Sequence, residues 1–391
     1  MKNPELKAWC DYEQVEVAHA KSGPLAGLTL GVKDIFQVAG YKNGWGQPTR
    51  LATCDVDTET QPAVQQMLDA GIEVTGKTQC EELCYSLTGD NHHYGAPHNM
   101  AAPDRLTGGS SSGSASLVAA GVVDVATGSD TGGSVRCPAS YCGLIGLRTT
   151  HGRISLEKTM PLAPSLDVFG WFAKDVETYA KVGDVLLEDD ASSTKLTRLI
   201  GSPDLDSLLL GDAEYLGFMK AAEQVENYFD DEREFIQMPV DLDATPWMFD
   251  TTGAFEAWRG LGSWIEEHQP DLGPGIKQRF EFGSKVEKAE YEKAAGERLQ
   301  VRLQLEDMLG DDGLLIFPTV PSAAPLKSED YKTLHAFREH AIRLLCLSGL
   351  SGLPQITLPL GEVYGAPMGI SLMGPRGSDK RLIEIARGIM G

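Results

Sequence analysis

The chain has 391 residues, of which 42% are hydrophobic, and carries a formal net charge of −22. That length allows two or three ordinary domains, or one large α/β domain with an insertion. The acidic balance argues against nucleic acid and against anionic membrane surfaces as partners, because both need a basic face.

No apolar run reaches the roughly 18 residues of a membrane span, and the first residues lack the apolar stretch of a signal peptide. Seven cysteines, an odd number, are spread along the sequence. Reduced thiols and a cytoplasmic location are the expectation.

In GLTLGVKDIF (27–36), Leu28, Leu30 and Val32 alternate as in a half-buried strand, which ends at Lys33 and Asp34. TQPAVQQMLDAGI predicts a helix with Thr60 as N-cap and Gly71 as its stop. IEVTGK predicts a second strand, ending at Lys77. His92, His93 and His98 fall in a loop-like stretch without a matching cysteine pair, so a structural or exposed role is expected, and no zinc site.

From Thr107 a Gly/Ser-rich loop leads into a buried helix that stops at Gly121. VVDVATGSDTGGSVRCPASYCGLIGLRT then predicts strand, loop, short helix and strand. The region 184–310 turns acidic and helix-rich. Within it, AEYLGFMKAAEQVENYF and KVEKAEYEKAAGERLQVRLQLEDML have amphipathic spacing. Between them lies an aromatic stretch with Trp247, Phe249, Phe255, Trp258 and Trp264, either helical core or the wall of an apolar pocket. GLLIFPTV, LPQITLPLG and PMGISLMGP predict returning strands. Strand–helix–strand units with short links suit a covered sheet.

GGSSSGSAS (108–116) is no phosphate cradle, because no lysine follows its last glycine. Gly109–Ser111–Gly113 satisfies the G-x-S-x-G elbow, yet the elbow needs a preceding strand and HNMAAPDRLT makes a poor one. Ser155 and Lys158 form an S-x-x-K match with no partner motifs. TGSDTGGSVR (127–136) says more. It follows an apolar strand, so Ser134 would sit near a helix N-terminus with the N–H groups of Thr131, Gly132, Gly133 and Ser134 converging. Such groups beside a nucleophile would hold a tetrahedral oxyanion. An ordinary Gly-rich turn is the alternative.

A serine nucleophile needs a base, and neither cluster carries a histidine. Burial disfavours an ammonium group, so a buried lysine becomes a usable base. Lys33 fits that need, with Ser110 as a proton relay.

Together these segments resemble the amidase signature family. The resemblance runs through GGSSSGSASLVAAGVVDVATGSDTGGSVRCPASYCGLIGLRTTHGRIS, PLAPSLDVFGWFAKD (161–175), LSGLSGLPQITLPLG, GAPMGISLMGPRGSDKRLIEIA and the opening GLTLGVKDIF. It implies a single α/β/α domain over 1–391 around a large mixed twisted β-sheet covered by helices. The signature core would span about 25–180 and 313–388, with a variable helical layer over about 184–310.

By the same resemblance Ser134 is the acylating nucleophile and Lys33 the base. Ser110 is the bridging serine, beside a cis peptide bond. Thr131 to Ser134 form the oxyanion hole, with Ser111, Asp130 and Arg136 in support. Tyr85 and Ser86 border the pocket, and Trp247 and Trp258 are expected to line it. GVKDIFQVAG, YSLTGDNHHYGAPHN, DTGGSVRCPASYCG and DVFGWFAKD are most similar to the short indole-3-acetamide amidases of plants.

The expected activity is hydrolysis of a small, primary, hydrophobic or arylacetamide-type amide, with no metal or organic cofactor and a homodimer possible. The alternatives are a signature hydrolase of a small polar amide or ureide, a histidine-dependent esterase using Ser111, and a catalytically silent binding protein on the same fold.

Overall fold

The computed structural model describes residues 4–391. Ten strands form one sheet: β1 (Thr29–Lys33), β2 (Glu73–Thr78), β3 (Val125–Asp130), β4 (Ile145–Arg148), β5 (Val168–Ala173), β6 (Arg198–Gly201), β7 (Glu234–Phe235), β8 (Gly313–Pro318), β9 (Gln355–Val363) and β10 (Ala366–Met373). Their spatial order is β2-β1-β3-β5-β4-β9-β10-β8-β6-β7. The β2-β1-β3 and β8-β6-β7 flanks are parallel, and the centre is antiparallel. Central strands covered on both faces read as continuous apolar runs. VFGWFA in β5 and GLLIFP in β8 are such runs, and every residue in them is buried.

Twelve α-helices accompany the sheet: α1 (Pro48–Thr53), α2 (Pro62–Asp69), α3 (Ser112–Ala119), α4 (Arg136–Cys142), α5 (Val176–Leu186), α6 (Pro203–Asp206), α7 (Asp212–Phe229), α8 (Thr245–His268), α9 (Ile276–Gly283), α10 (Lys288–Leu309), α11 (Tyr331–Ser351) and α12 (Asp379–Met390). Helices α2, α5, α12 and α7 pack in succession, and α3 and α4 pack on β1, β3, β9 and β10. Helices α8 to α11 pack on one another as a group. No helix among the described residues is long and apolar enough to cross a membrane.

Two details differ from the sequence expectations. The N-cap of α2 is Gln61, whose side chain accepts from Val64 N, while the Thr60 hydroxyl accepts from Ala39 N instead. The region 184–310 is more than a helical layer, since β6 and β7 extend the sheet edge. Leu199 and Ile200 of β6 are buried beside β8, so a four-residue strand finds its apolar cover only through a distant partner.

Candidate active site

Strand β1 lies between β2 and β3, and its last residue, Lys33, is fully buried. Its backbone N–H donates to Thr127 Oγ1 at 2.9 Å. Its Nζ lies 2.7 Å from Ser110 Oγ, 2.8 Å from Ser129 Oγ and 3.0 Å from Ser111 Oγ. These three neighbours are hydroxyls, and a fourth is the Cys84 thiol, which burial pushes up but which contacts with Cys80, Lys33 and Ser110 lower to about 6. The adjacent carboxylate of Asp34 is turned elsewhere: it accepts from Tyr12 Oη at 2.5 Å and from Gly44 N at 3.1 Å, and Lys77 Nζ sits 3.8 Å away. Lys77, at the end of the neighbouring strand, also donates to the Phe36 carbonyl.

Ser110 follows a cis peptide bond from Gly109, and Ser111 occupies the N-cap position of α3 without a capping bond from its side chain. Ser129 was not singled out from the sequence. The signal was available: in β3, alternation puts Thr127 and Ser129 on one face, and both touch Lys33.

Beyond β3 the chain winds around one carboxylate. Asp130 accepts from the backbone N–H groups of Gly133, Val135 and Arg136 at 2.8, 3.1 and 3.3 Å. It also accepts from Arg136 Nε at 3.0 Å and Nη2 at 2.8 Å, and from Arg148 Nη1 at 3.1 Å. Burial alone would push this carboxyl up. The Arg136 and Arg148 guanidiniums and the Gly133 amide outweigh it and hold the group well below the usual carboxylate range. Arg148 is the second guanidinium of the clamp and had no signal beyond its place at the end of β4.

Gly133 has φ +115, a conformation that suits glycine, and its N–H is already spent on Asp130. Of the four amides expected to converge, that of Gly133 therefore points to Asp130 instead. A Cβ at Gly132 would come 2.3 Å from Phe249 Cζ, so the turn abuts the cavity wall.

That cavity is lined by Ser134, Thr131, Gly132, Cys84, Tyr85, Ser86, Leu87, Leu162, Ala163, Phe249, Asp250, Gly253, Arg338 and Ile342. Asp167 fixes one wall: it accepts from Thr131 Oγ1 at 2.6 Å and from Leu162 N and Ala163 N at 2.9 Å each. Tyr85 and Ser86 are among these lining residues.

Trp247 and Trp258 do not line it. Trp247 lines an outer hollow with Tyr85 and Arg279, under Lys293 Nζ at 5.0 Å. Trp258 lies against Gly262 and Gly283, where α9 covers α8. It is eight residues, or about 12 Å at 1.5 Å per residue, beyond Asp250 along α8, and so outside the cavity. His92 and His93 meet Asp271, with ligand atoms within 4.8 Å of one another. His93 Nε2 is also 2.9 Å from the buried Glu82 Oε1.

A model of the Amidase family matches residues 5–212 and 248–383. The chain belongs to the amidase family. The unmatched stretch holds most of α7 and all of β7. Amidase 1 of Arabidopsis thaliana is 34% identical over 414 residues, covering 98% of this chain and 97% of that protein. Amidase 1 of Oryza sativa subsp. japonica is 36% identical over 392 residues, covering 93% and 89%. A crystal structure of an amidase shares 29% identity at a TM-score of 0.83, covering 94% of this chain and 84% of that one. The protein is therefore an amidase, a hydrolase acting on amides.

Two outcomes follow from these electrostatics. Asp130→Ala strands two buried guanidiniums and should cost about 3–5 kcal/mol, read as a lowered urea midpoint or loss of soluble protein. Because the Asp130 carboxyl is held low, its stabilising effect is present at neutral pH and lost only as pH falls toward strong acid. Glu81 behaves oppositely. Burial, then the Asp90 charge, raise its carboxyl from 4.5 to about 8, and its Oε1 has no hydrogen-bond partner among the described residues. Its effect on stability is complete below its unfolded value and is lost as pH rises through the folded one. Urea midpoints of the wild type should therefore decline between about pH 5 and pH 8, and Glu81→Gln should flatten that decline. A decline of equal size in Glu81→Gln would refute the assignment.

Proposed function

We propose that this amidase hydrolyses small primary amides with an apolar acyl part, through a Ser134–Ser110–Lys33 relay and an acyl-enzyme. The observation that carries the reading is the setting of Lys33, an amine buried among three serine hydroxyls within 3.0 Å, with its neighbouring carboxylate engaged elsewhere. In this reading Ser134 Oγ attacks the carbonyl carbon. Its proton passes to Ser110, whose own proton passes to Lys33. The Thr131, Gly132 and Ser134 amides hold the developing oxyanion, in a site where fixed dipoles cost no reorganisation. The relay returns a proton to the leaving nitrogen, ammonia departs, and water attacks the ester by the same route.

The apolar walls from Leu87, Leu162, Ala163, Phe249 and Ile342 support an aryl or alkyl acyl group over a small charged one. Its kinship with Amidase 1 of two plants, and the resemblance of its motifs to indole-3-acetamide amidases, support an arylacetamide. The esterase alternative needs a histidine on Ser111. Among the described residues, the hydrogen bond formed by that hydroxyl runs to Lys33.

Ser134→Ala should lower kcat by about three orders of magnitude or more, and Lys33→Ala should be similarly damaging with the fold retained. Wild type should label at Ser134 with a fluorophosphonate probe, read by peptide mass spectrometry. Undiminished turnover by a clean Ser134→Ala preparation would remove the nucleophile assignment. Fastest turnover of malonamate in a panel with indole-3-acetamide, benzamide and aliphatic amides would overturn the substrate class.

A further inference from the structure

Three hollows meet at one side chain. Arg338 lines the Ser134 cavity beside Asp250 and Ile342. It also lines a hollow with Glu81, Arg279 and Tyr331, and another with Trp247, Gln278 and Glu339. Arg338 is only 8% exposed, yet it is poorly satisfied. Its Nη1 donates to Glu339 Oε1 at 2.5 Å, while its Nη2 stands 3.7 Å from Asp250 Oδ1, beyond hydrogen-bond length. Its Nε–H has no partner among the described residues.

Asp250, its side chain 38% exposed, is thus a carboxylate on the cavity wall, with Arg338 and Arg279 as its neighbouring cations. Burial pushes its carboxyl up, and Arg338 offsets that only in part, with Glu339 adding to the rise. When a substrate body covers this carboxylate and displaces its water, a hydrogen-bond donor must replace it. The surrounding charges select what kind. Arg338 and Arg279 face Asp250 and Glu339, two cations against two anions. A charged substrate end would be desolvated there with no spare counter-charge. A neutral N–H or O–H would supply the missing hydrogen bond without that cost.

We propose that Asp250 is the specificity residue of the acyl cavity, selecting amides whose apolar body ends in a neutral N–H or O–H donor, and that Arg338 positions it. The proposal rests on the reading of this cavity as the acyl site of Ser134. Ring N–H groups and phenols have the right chemistry, rigid and apolar up to a single polarised hydrogen. A site that accepts a substrate hydrogen rejects the isostere lacking it, because the substrate body then covers the acceptor and leaves it unpaired.

The test uses isosteric pairs: 4-hydroxyphenylacetamide against 4-fluorophenylacetamide, and indole-3-acetamide against benzothiophene-3-acetamide. Wild-type kcat/KM should favour the donor-bearing member of at least one pair by about tenfold or more, mainly through KM. Asp250→Ala should bring that ratio near one, and Asp250→Asn, which keeps a carbonyl acceptor, should retain part of it. Arg338→Leu should lower the ratio, and Arg338→Lys should restore some of it. A wild-type ratio near one in both pairs overturns the proposal, as does an unchanged ratio in Asp250→Ala. The wild-type comparison stands whether or not a variant folds. Failure of the nucleophile assignment would appear differently, as turnover of all four amides by Ser134→Ala.

Discussion

One carboxylate organises the turn that presents Ser134. Asp130 closes β3 and then gathers three backbone N–H groups and two guanidiniums from the residues that follow or face it. Arg136 reaches onward to the Leu345 carbonyl and Gln355 Oε1, and Arg148 to the Leu166 carbonyl. The loop that presents Ser134 is therefore tied to α11, β9 and the cavity wall through a single charge. Buried charges persist only when paired and hydrogen-bonded, and here every donor that satisfies Asp130 also fixes part of the turn. Asp167 does the same for the other wall by holding Thr131, Leu162 and Ala163 together.

The second constraint is a division of partners between two lysines. Lys33 and Lys77 end neighbouring parallel strands, paired through Val32 with Lys77 and Lys33 with Thr78. The Asp34 carboxylate lies within reach of Lys77. Tyr12, Gly44 N and Lys77 take it, which leaves Lys33 to the serines and the Cys84 thiol. An amine among hydroxyls and a thiol is placed for proton exchange, whereas one locked to a carboxylate is held as a cation. The same fold thus carries a structural lysine and a candidate base on adjacent strands, one residue out of register.

Much of this was legible before any coordinates. Alternation ending in Lys33, the glycines of GGSSSG and TGGS, and the apolar runs of β5 and β8 are local signals, and each has a local cause. Glycine at 133 answers a positive φ, and the small residues of α3 answer complete burial. Other features had no such cause. Gln61 displaced Thr60 as the cap because Thr60 was drawn to Ala39 by a tertiary contact. Strands β6 and β7 were hidden because four and two residues give no periodicity to read. Trp258 looked like a pocket wall because aromatic content says nothing about distance along a helix from a cavity.

By itself the sequence determined the ingredients: a lysine at a strand end, two glycine–serine turns, an acid followed by TGGS, and the order of strands and helices that brings them to one sheet. Only the tertiary structure decided the pairings. Lys33 and Ser129 are 96 residues apart, and Arg136 and Gln355 are 219 apart. Hydrogen bonds act over about 3 Å. No pattern along the chain specifies which of several buried donors will come that close to which acceptor until the sheet has been assembled.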